Sequence, residues 1–548
     1  MRTIHLLLLA GLTSTASSSG AQAPLPIAPA GVPVALPGGA RTHAPRPTSP
    51  SITAADLETR LYIVADDSME GREAGRRGQQ RANAYLAREL KRLGLRPAGD
   101  DGSWFQTIPL AVRRPDNAST LRVGGSPGAD LVQFTDYVLV PRLGLQTFLG
   151  GQPYGGAFVG SNVPTTYGGR IGDQVLVAPE HVRGRVVVFA APTGAGGRPM
   201  LNFWARDNLL RYHAAAAVVI VGGLDAGVPG FFRATRDAYV DSTKPGPALT
   251  VLLLTTAAGE RLLGAPLSTL TIGEEGRPLT GRVRFVDTPT DVPAQNVVAI
   301  LPGSDPVLKH QYVAVGSHID HVGVLPMALD HDSVRVFNAI ARPRGADDPP
   351  RAPTAEQAEH IRVAIDSVHH ARPVRRDSIN NGADDDGSGA VIALEIAESF
   401  AKAARAPKRS LLFVWHTAEE KGLYGAQYFS DHPTVPRDSI VAQVNMDQMG
   451  RGDPEDAPPG GANALVVIGS RRLSTELGDL ADRVNAQPQH RFTLDYSFDR
   501  DGDPTNAYCR SDHYMYARFG IPIVFFSAAA WHIDYHMVSD EAQYIDYP

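Results

Sequence analysis

Five stretches of this chain end or begin on acids and histidines. "YVAVGS" (312–317) runs into His318, Asp320 and His321, and "SLLFVW" (410–415) into His416, Glu419 and Glu420. "IVAQVNM" (440–446) is followed by Asp447, and "IPIVFF" (521–526) by His532, Asp534, His536 and Asp540. The fifth, "NNGADDDGSG", carries Asp384, Asp385 and Asp386 just ahead of a helical pattern. Carboxylate oxygen and neutral imidazole nitrogen are donors that divalent ions accept, and zinc takes both. Cys509 is the only cysteine, which excludes a disulfide framework within one chain and a thiolate-rich zinc site. Two ions about 3.5–4 Å apart can share a bridging carboxylate and a bridging water. Such a centre gives the adjacent Glu419 and Glu420 separate uses. Neighbouring side chains point different ways, so one binds metal while the other takes a proton from water whose pKa the ions lower.

Each piece alone has an ordinary use. His-x-Asp is commonplace, "ADDDGSG" suits the N-terminus of a helix, where negative charge is favourable, and "AEE" suits a solvated face. Asp447 at the end of an apolar strand needs a partner. The ordered co-occurrence of all five is what points to one centre.

A single rim for these groups requires a particular scaffold. Strand patterns at 296–301, 312–317, 410–415, 440–446, 464–469 and 521–526 alternate with helical patterns, notably 388–404 and 474–487. Continuous Val/Ile/Leu runs between helices predict an α/β fold with an open, mostly parallel (mixed) sheet covered by helices on both faces. In such sheets ligands bind beyond the carboxyl ends of the strands, where the acids and histidines fall. Upstream, 53–67 and 78–100 have helical spacing, with Ala82, Tyr85, Leu86, Leu90 and Leu93 on one face and Gly94 as a stop. Between 135 and 285 the texture changes to short apolar runs (185–191, 217–223) around a helical 205–216, which predicts a smaller β-rich insert. Residues 51–134 and 286–548 then form the remaining domain, interrupted at 326–379 by a proline-, arginine- and histidine-rich insertion with one helical piece, 354–370.

The 548 residues carry a formal charge of −6, which gives no reason to expect nucleic acid or an anionic membrane as a partner. Residues 1–23 have the basic start, apolar core and small-residue tail of a secretory signal peptide, and 24–50 read as a proline-rich linker, with order beginning near Ile52. The expectation is a protein exported to the periplasm or outside the cell without a membrane anchor.

With these residues in place the sequence resembles the secreted dizinc aminopeptidases of the bacterial leucyl aminopeptidase/aminopeptidase Y type. The motifs "GSHIDHVG", "NGADDDGSGAVIALEIAESF", "HTAEEKGLYGAQYF", "VNMDQMG", "SDHYMYARFGIPI" and "DYHMVSD" carry the resemblance, in that family's order, over most of 55–548. Residues near 140–280 resemble the protease-associated domain often inserted there. The resemblance implies two zinc ions per chain. It implies His318 and Asp447 as ligands of one ion, Asp385 as the bridge, and Glu420 and His536 as ligands of the other. It further implies Glu419 as general base, Tyr535 as a donor to the tetrahedral intermediate, Asp320 as acceptor from the second ring nitrogen of His318, and Asp512 as a supporting group. His513 and His532 compete with His536, which is favoured because the Tyr–His pair followed by Asp540 matches the family motif. Asp384 is the runner-up for the bridge.

The implied reaction is hydrolysis of the N-terminal bond of a peptide or protein with a free amine. Alternatives are a zinc carboxypeptidase or a glutaminyl cyclase-like enzyme on the same fold, or a non-catalytic peptide-binding protein. No arginine is obviously placed to hold a C-terminal carboxylate. "GGSPG" (124–128) fits the serine-hydrolase elbow G-x-S-x-G, but the residue after the serine is Pro127, which lacks the N–H that an oxyanion hole would use.

Overall fold

The structure is a computed structural model that describes residues 45–140, 156–171, 175–191, 210, 213–228, 230–240, 249–348, 351–451, 463–488, 492–500, 503, 505–528 and 532–548. The signal-peptide reading of 1–23, the linker up to residue 44 and most of the helical pattern at 205–216 lie outside them. The chain forms two compact units, one of residues up to Ile108 with Thr290–Pro548, the other of Pro109–Pro289.

The first unit is built on a nine-stranded sheet. In chain order its strands are β1 (Arg96–Pro97), β2 (Phe105–Thr107), β3 (Gln295–Leu301), β4 (Tyr312–His318), β5 (Ser410–His416), β6 (Ile440–Met446), β7 (Ala464–Ile468), β8 (Thr493–Asp495) and β9 (Ile523–Ser527). Across the sheet they lie β1-β3-β5-β4-β6-β9-β7-β8, with β2 also on β3. The four central strands β5, β4, β6 and β9 are parallel, and the antiparallel pairings flank them. Position follows from sequence. All seven residues of β5 are buried, as a strand covered on both faces requires. On one face lie helices α1 (Ala54–Val64), α2 (Arg77–Leu93) and, later in the chain, Gly389–Lys402, which share a core with Val297, Phe413 and Trp415. The Trp415 indole N–H donates to the Ala390 carbonyl at 2.9 Å, pinning that last helix to β5. On the other face Phe429 and Tyr516 pack against Val298, Leu412 and Val414. The apolar stripe predicted for α2 is buried, and Gly94 ends the helix at φ 81°, a conformation glycine adopts freely.

The 326–379 insertion has structure of its own. Strands Val324–Asp330 and Arg376–Ile379 pair antiparallel and enclose helices His331–Ala341 and Ala355–Ala371, which share a small core of Val336, Ile361 and Val368. Order also begins earlier than Ile52. The Thr48 hydroxyl donates to Glu398 at 2.7 Å and accepts from Arg60 and Arg92, so the end of the proline-rich stretch is tied down.

In the second unit the predicted runs become strands Val186–Ala190 and Ala217–Val221, paired parallel within a five-stranded sheet. Residues 124–128 form the turn between antiparallel strands Thr120–Val123 and Ala129–Leu131, so no strand-to-helix elbow surrounds Ser126. Among the described residues no helix is long and apolar enough to cross a membrane.

Candidate metal centre

The parallel strands deliver their terminal residues to one edge. β4 ends on His318 beside His416 of β5, and β6 is followed directly by Asp447. Between them the tight turn Ala383–Ser388 leads into the helix Gly389–Lys402 and presents Asp385. Gly382 opens that turn at φ +55°, and a Cβ there would meet the Asp385 carbonyl at 2.3 Å and the His321 ring at 2.4 Å. No larger residue fits.

All five candidate ligands converge. His318 Nε2 lies 3.2 Å from Asp385 Oδ1 and 3.5 Å from Asp447 Oδ1. His536 Nε2 lies 2.9 Å from Asp385 Oδ2 and 3.0 Å from Glu420 Oε2. The two oxygens of Asp385 therefore face two different imidazoles. His321, Asp385, Glu420 and His536 have donor atoms all within 4.8 Å of one another, and so do His318, Asp386 and Asp447. Burial opposes the charged form of Asp385, but hydrogen bonds to His318 and His536 outweigh it and hold its carboxyl well below the usual range. Burial also disfavours charge on His536, yet Glu420 and Asp385 raise its pKa well above the ordinary value. Asp447 is pushed up by burial.

The donor set suits cations. His318 Nε2 and His536 Nε2 each face two carboxylate oxygens, and one ring N–H cannot serve both. Carboxylates buried this close together are costly unless cations lie between them. Only oxygen and imidazole donors are present, a combination zinc accepts.

Glu419 lines the same cavity as His318, Asp385, Asp447 and Tyr535. Burial, with the charges of Glu420, Asp447 and Asp512, lifts its carboxyl well above the ordinary value. The Tyr535 ring stacks on that of His536 with centroids 4.0 Å apart, and burial raises its phenol well above 10.

The supporting groups differ from expectation in atom or partner. His318 Nδ1 bonds to the backbone carbonyl of Asp320 at 2.9 Å; the Asp320 carboxylate is 3.9 Å from that nitrogen and instead accepts from the Glu419 N–H at 3.1 Å. Asp512 sits 3.2 Å from His416 Nδ1, so its contact is with the histidine that ends the neighbouring strand and not with a candidate ligand. The rejected ligand candidates are occupied elsewhere. His513 Nε2 pairs with the Tyr508 carbonyl at 2.9 Å, and its ring stacks on Phe525. His532 Nε2 lies 3.1 Å from Asp384 Oδ2, so the two runners-up meet each other behind Asp385.

Several roles escaped the sequence reading. Asp540, named there among the acids after "IPIVFF" without a role, accepts from the backbone N–H groups of Asp384 and Asp385 at 3.0 and 3.1 Å, and Arg451 holds it at 3.3 Å. The fully buried Arg72 donates to the carbonyls of Ile319, Asn381 and Gly382, joining the end of β4 to the Asp385 turn. Asp386 accepts from the His318 and Gly389 N–H groups at 3.1 and 2.9 Å. His321 Nδ1 is 2.8 Å from Glu420 Oε1. The adjacency of His321 to His318 was a visible signal; an arginine that binds carbonyls leaves none.

Residues 353–548 match the model of Peptidase family M28. The zinc-peptidase resemblance read from the motifs is borne out over that segment. The M28 segment contains Asp385, Glu419, Glu420, Asp447, Tyr535 and His536, while His318 and Asp320 precede it. The chain is 36% identical to leupeptin-inactivating enzyme 1 of Streptomyces exfoliatus over 81 residues, 14% of this chain and 18% of that one. It is 30% identical to a probable zinc metalloprotease of Leptosphaeria maculans over 119 residues, 21% of this chain and 25% of that one. The chain thus spans a quarter or less of the length of these two curated relatives. Among solved structures, an aminopeptidase from Aneurinibacillus sp. strain AM-1 is similar over 90% of both chains, at 16% identity and a TM-score of 0.42.

Proposed function

We propose that this chain is a two-zinc aminopeptidase that removes N-terminal residues from peptides. One observation carries the reading: Asp385 turns one oxygen to the His318 and Asp447 group and the other to the His536 and Glu420 group. The M28 match over 353–548 supports it. His318, Asp447 and Asp385 would hold one ion, and Asp385, Glu420 and His536 the other. When bound, two zinc ions supply Lewis acidity that makes water acidic and polarises a carbonyl. The remaining steps belong to the chain. Glu419, which lines the same cavity as His318, Asp385 and Asp447, accepts the proton of the attacking water and returns it to the departing amine. The Tyr535 hydroxyl, kept protonated by burial, donates to the oxygen that becomes negative. The density of carboxylates favours a free α-ammonium group on the substrate. Residues 1–23 support export to the periplasm or beyond, where such an enzyme would meet peptides.

Chelation abolishes hydrolysis of aminoacyl-anilides, zinc restores it, and metal analysis returns about two zinc per chain. Glu419→Gln keeps the zinc but loses at least ~10²-fold in turnover. Full activity with a single zinc would refute the shared-carboxylate centre. Equal cleavage of N-acetylated and free peptides would refute the aminopeptidase assignment.

A further inference from the structure

Arg510 stands in the wall of the cavity that His318, Glu419 and Tyr535 also line. The fold thus supplies an arginine beside the centre, where none was evident from motif or spacing. It pairs with Asp347 of the 326–379 insertion, Nη1 to Oδ2 at 3.2 Å and Nη2 to Oδ1 at 3.3 Å. Two contacts of this kind fix the plane of a guanidinium as one contact cannot. The pair is unevenly covered: the Asp347 side chain is 1% exposed and that of Arg510 19%. The carboxylate is therefore the hidden partner, and the Arg510 side chain keeps the exposed surface of the pair. Asp347 is itself held firmly, in the turn Gly345–Asp347, where the neighbouring Ala346 N–H donates to the Tyr535 carbonyl at 3.1 Å. Val466, Ile468, Phe498 and Phe525 supply apolar surface in the same cavity.

A cation braced by a buried carboxylate, next to apolar surface and a hydrolytic centre, is built to receive an anion carried on a hydrocarbon frame. We propose that Arg510 determines substrate specificity by binding a carboxylate of the substrate, with the apolar wall taking the carbon skeleton beside it. This inference rests on the peptidase reading above. The carboxylate has two possible sources, the side chain of an N-terminal Asp or Glu and the C-terminus of a dipeptide. A site that hydrogen-bonds a substrate group discriminates strongly against the analogue lacking it.

The test uses the zinc-loaded full chain and two matched pairs: glutamyl- against glutaminyl-p-nitroanilide, and Leu-Leu against Leu-Leu-amide. One pair shows at least ~10-fold higher kcat/KM for the member bearing the carboxylate, and which pair does so identifies the source. In Arg510→Gln that ratio falls to near one. Arg510→Lys, which keeps the charge without the fork, gives an intermediate ratio, and Asp347→Asn a smaller fall than Arg510→Gln. Ratios near one for both pairs in the wild type would overturn the inference whether or not the variants fold. So would an Arg510→Gln protein that loses both members of a pair equally, since that marks a residue that only positions Tyr535. Cleavage of the neutral substrates without preference leaves the peptidase reading standing and removes this inference alone; no cleavage of any of the four removes both.

Discussion

The two sides of the candidate centre are held in different ways. His318 and Asp447 leave the ends of β4 and β6, which are neighbouring parallel strands in the middle of the sheet. Their positions follow from ladder hydrogen bonds and buried Val/Ile packing. Glu420 and His536 sit on loops. His536 has φ +56°, a left-handed conformation that a side chain seldom adopts unless its surroundings impose it. Here the surroundings are polar. Arg335 of the insertion grips both oxygens of Asp534 at 3.1 Å, Asn338 donates to the Ile533 carbonyl at 2.8 Å, and Arg451 lies 3.2 Å from Asp534. One side is therefore positioned by strand geometry, the other by buried charge pairs that must all be present together.

Asp385 belongs to both sides, and its loss is the largest effect. Asp385→Ala should lower zinc affinity on both sides by more than ~100-fold, beyond what loss of an outer partner costs. Calorimetric titration of the chelated protein checks this. Retention of one tight zinc would mean that the sides are independent and that the bridging geometry is misread.

Arg451 tests the loop side through stability. Its guanidinium is fully buried among Asp384, Asp534 and Asp540. Arg451→Met takes the guanidinium from Asp384 and Asp540, while Asp534 keeps Arg335, and should cost about 3–5 kcal/mol in denaturant unfolding. A cost below about 1 kcal/mol would show that the loop does not depend on the pair.

This contrast also explains what the sequence disclosed. Strand-borne residues were legible because a buried parallel strand is a continuous apolar run, and an acid or histidine at its end stands out; His318 and Asp447 were found in that way, and Glu419 and Glu420 as a pair just beyond the end of β5. The helices at 54–64, 77–93, 355–371 and 389–402 were equally plain from their period. On the loop side His536 stood out among the acids and histidines after "IPIVFF", but its preference over His513 and His532 came from motif resemblance. Nothing in the spacing tells that Asp540 would bind the backbone of Asp384, that Arg72 would bind four carbonyls, or that Asp347 and Arg510, 163 positions apart, would pair in the cavity wall. Those partners meet only after the sheet has formed. For the same reason the Asp320 carbonyl, and not its carboxylate, ended up on His318.

His321 sharpens the contrast at the level of one ion. It touches Glu420 on the loop side and none of the strand-side ligands among its described hydrogen bonds. His321→Ala should weaken the loop-side ion by about 10–100-fold, the usual cost of losing an outer partner, and leave the other unchanged. Two-site titration would separate the constants, and an equal loss at both sites would contradict the division.

The smallest effect comes from a histidine outside both sides. His513 competed with His536 for the ligand role, and the two environments are opposite. His536 is among carboxylates, whereas His513 is stacked on Phe525, and burial pulls its pKa down to about 3. The folded protein therefore keeps His513 neutral while the unfolded chain takes up a proton below about 6.5. Because the unfolded state binds more protons in that range, this contribution to stability is complete above about 6.5 and is lost as pH falls toward 3. His513→Gln removes the group. Denaturant unfolding at pH 7.5 and 5.5, with both proteins kept in chelator so that the ligands contribute equally, should show a shallower decline in the variant. Equal declines would mean that His513 is charged in the folded state, and the distinction drawn between it and His536 would fail.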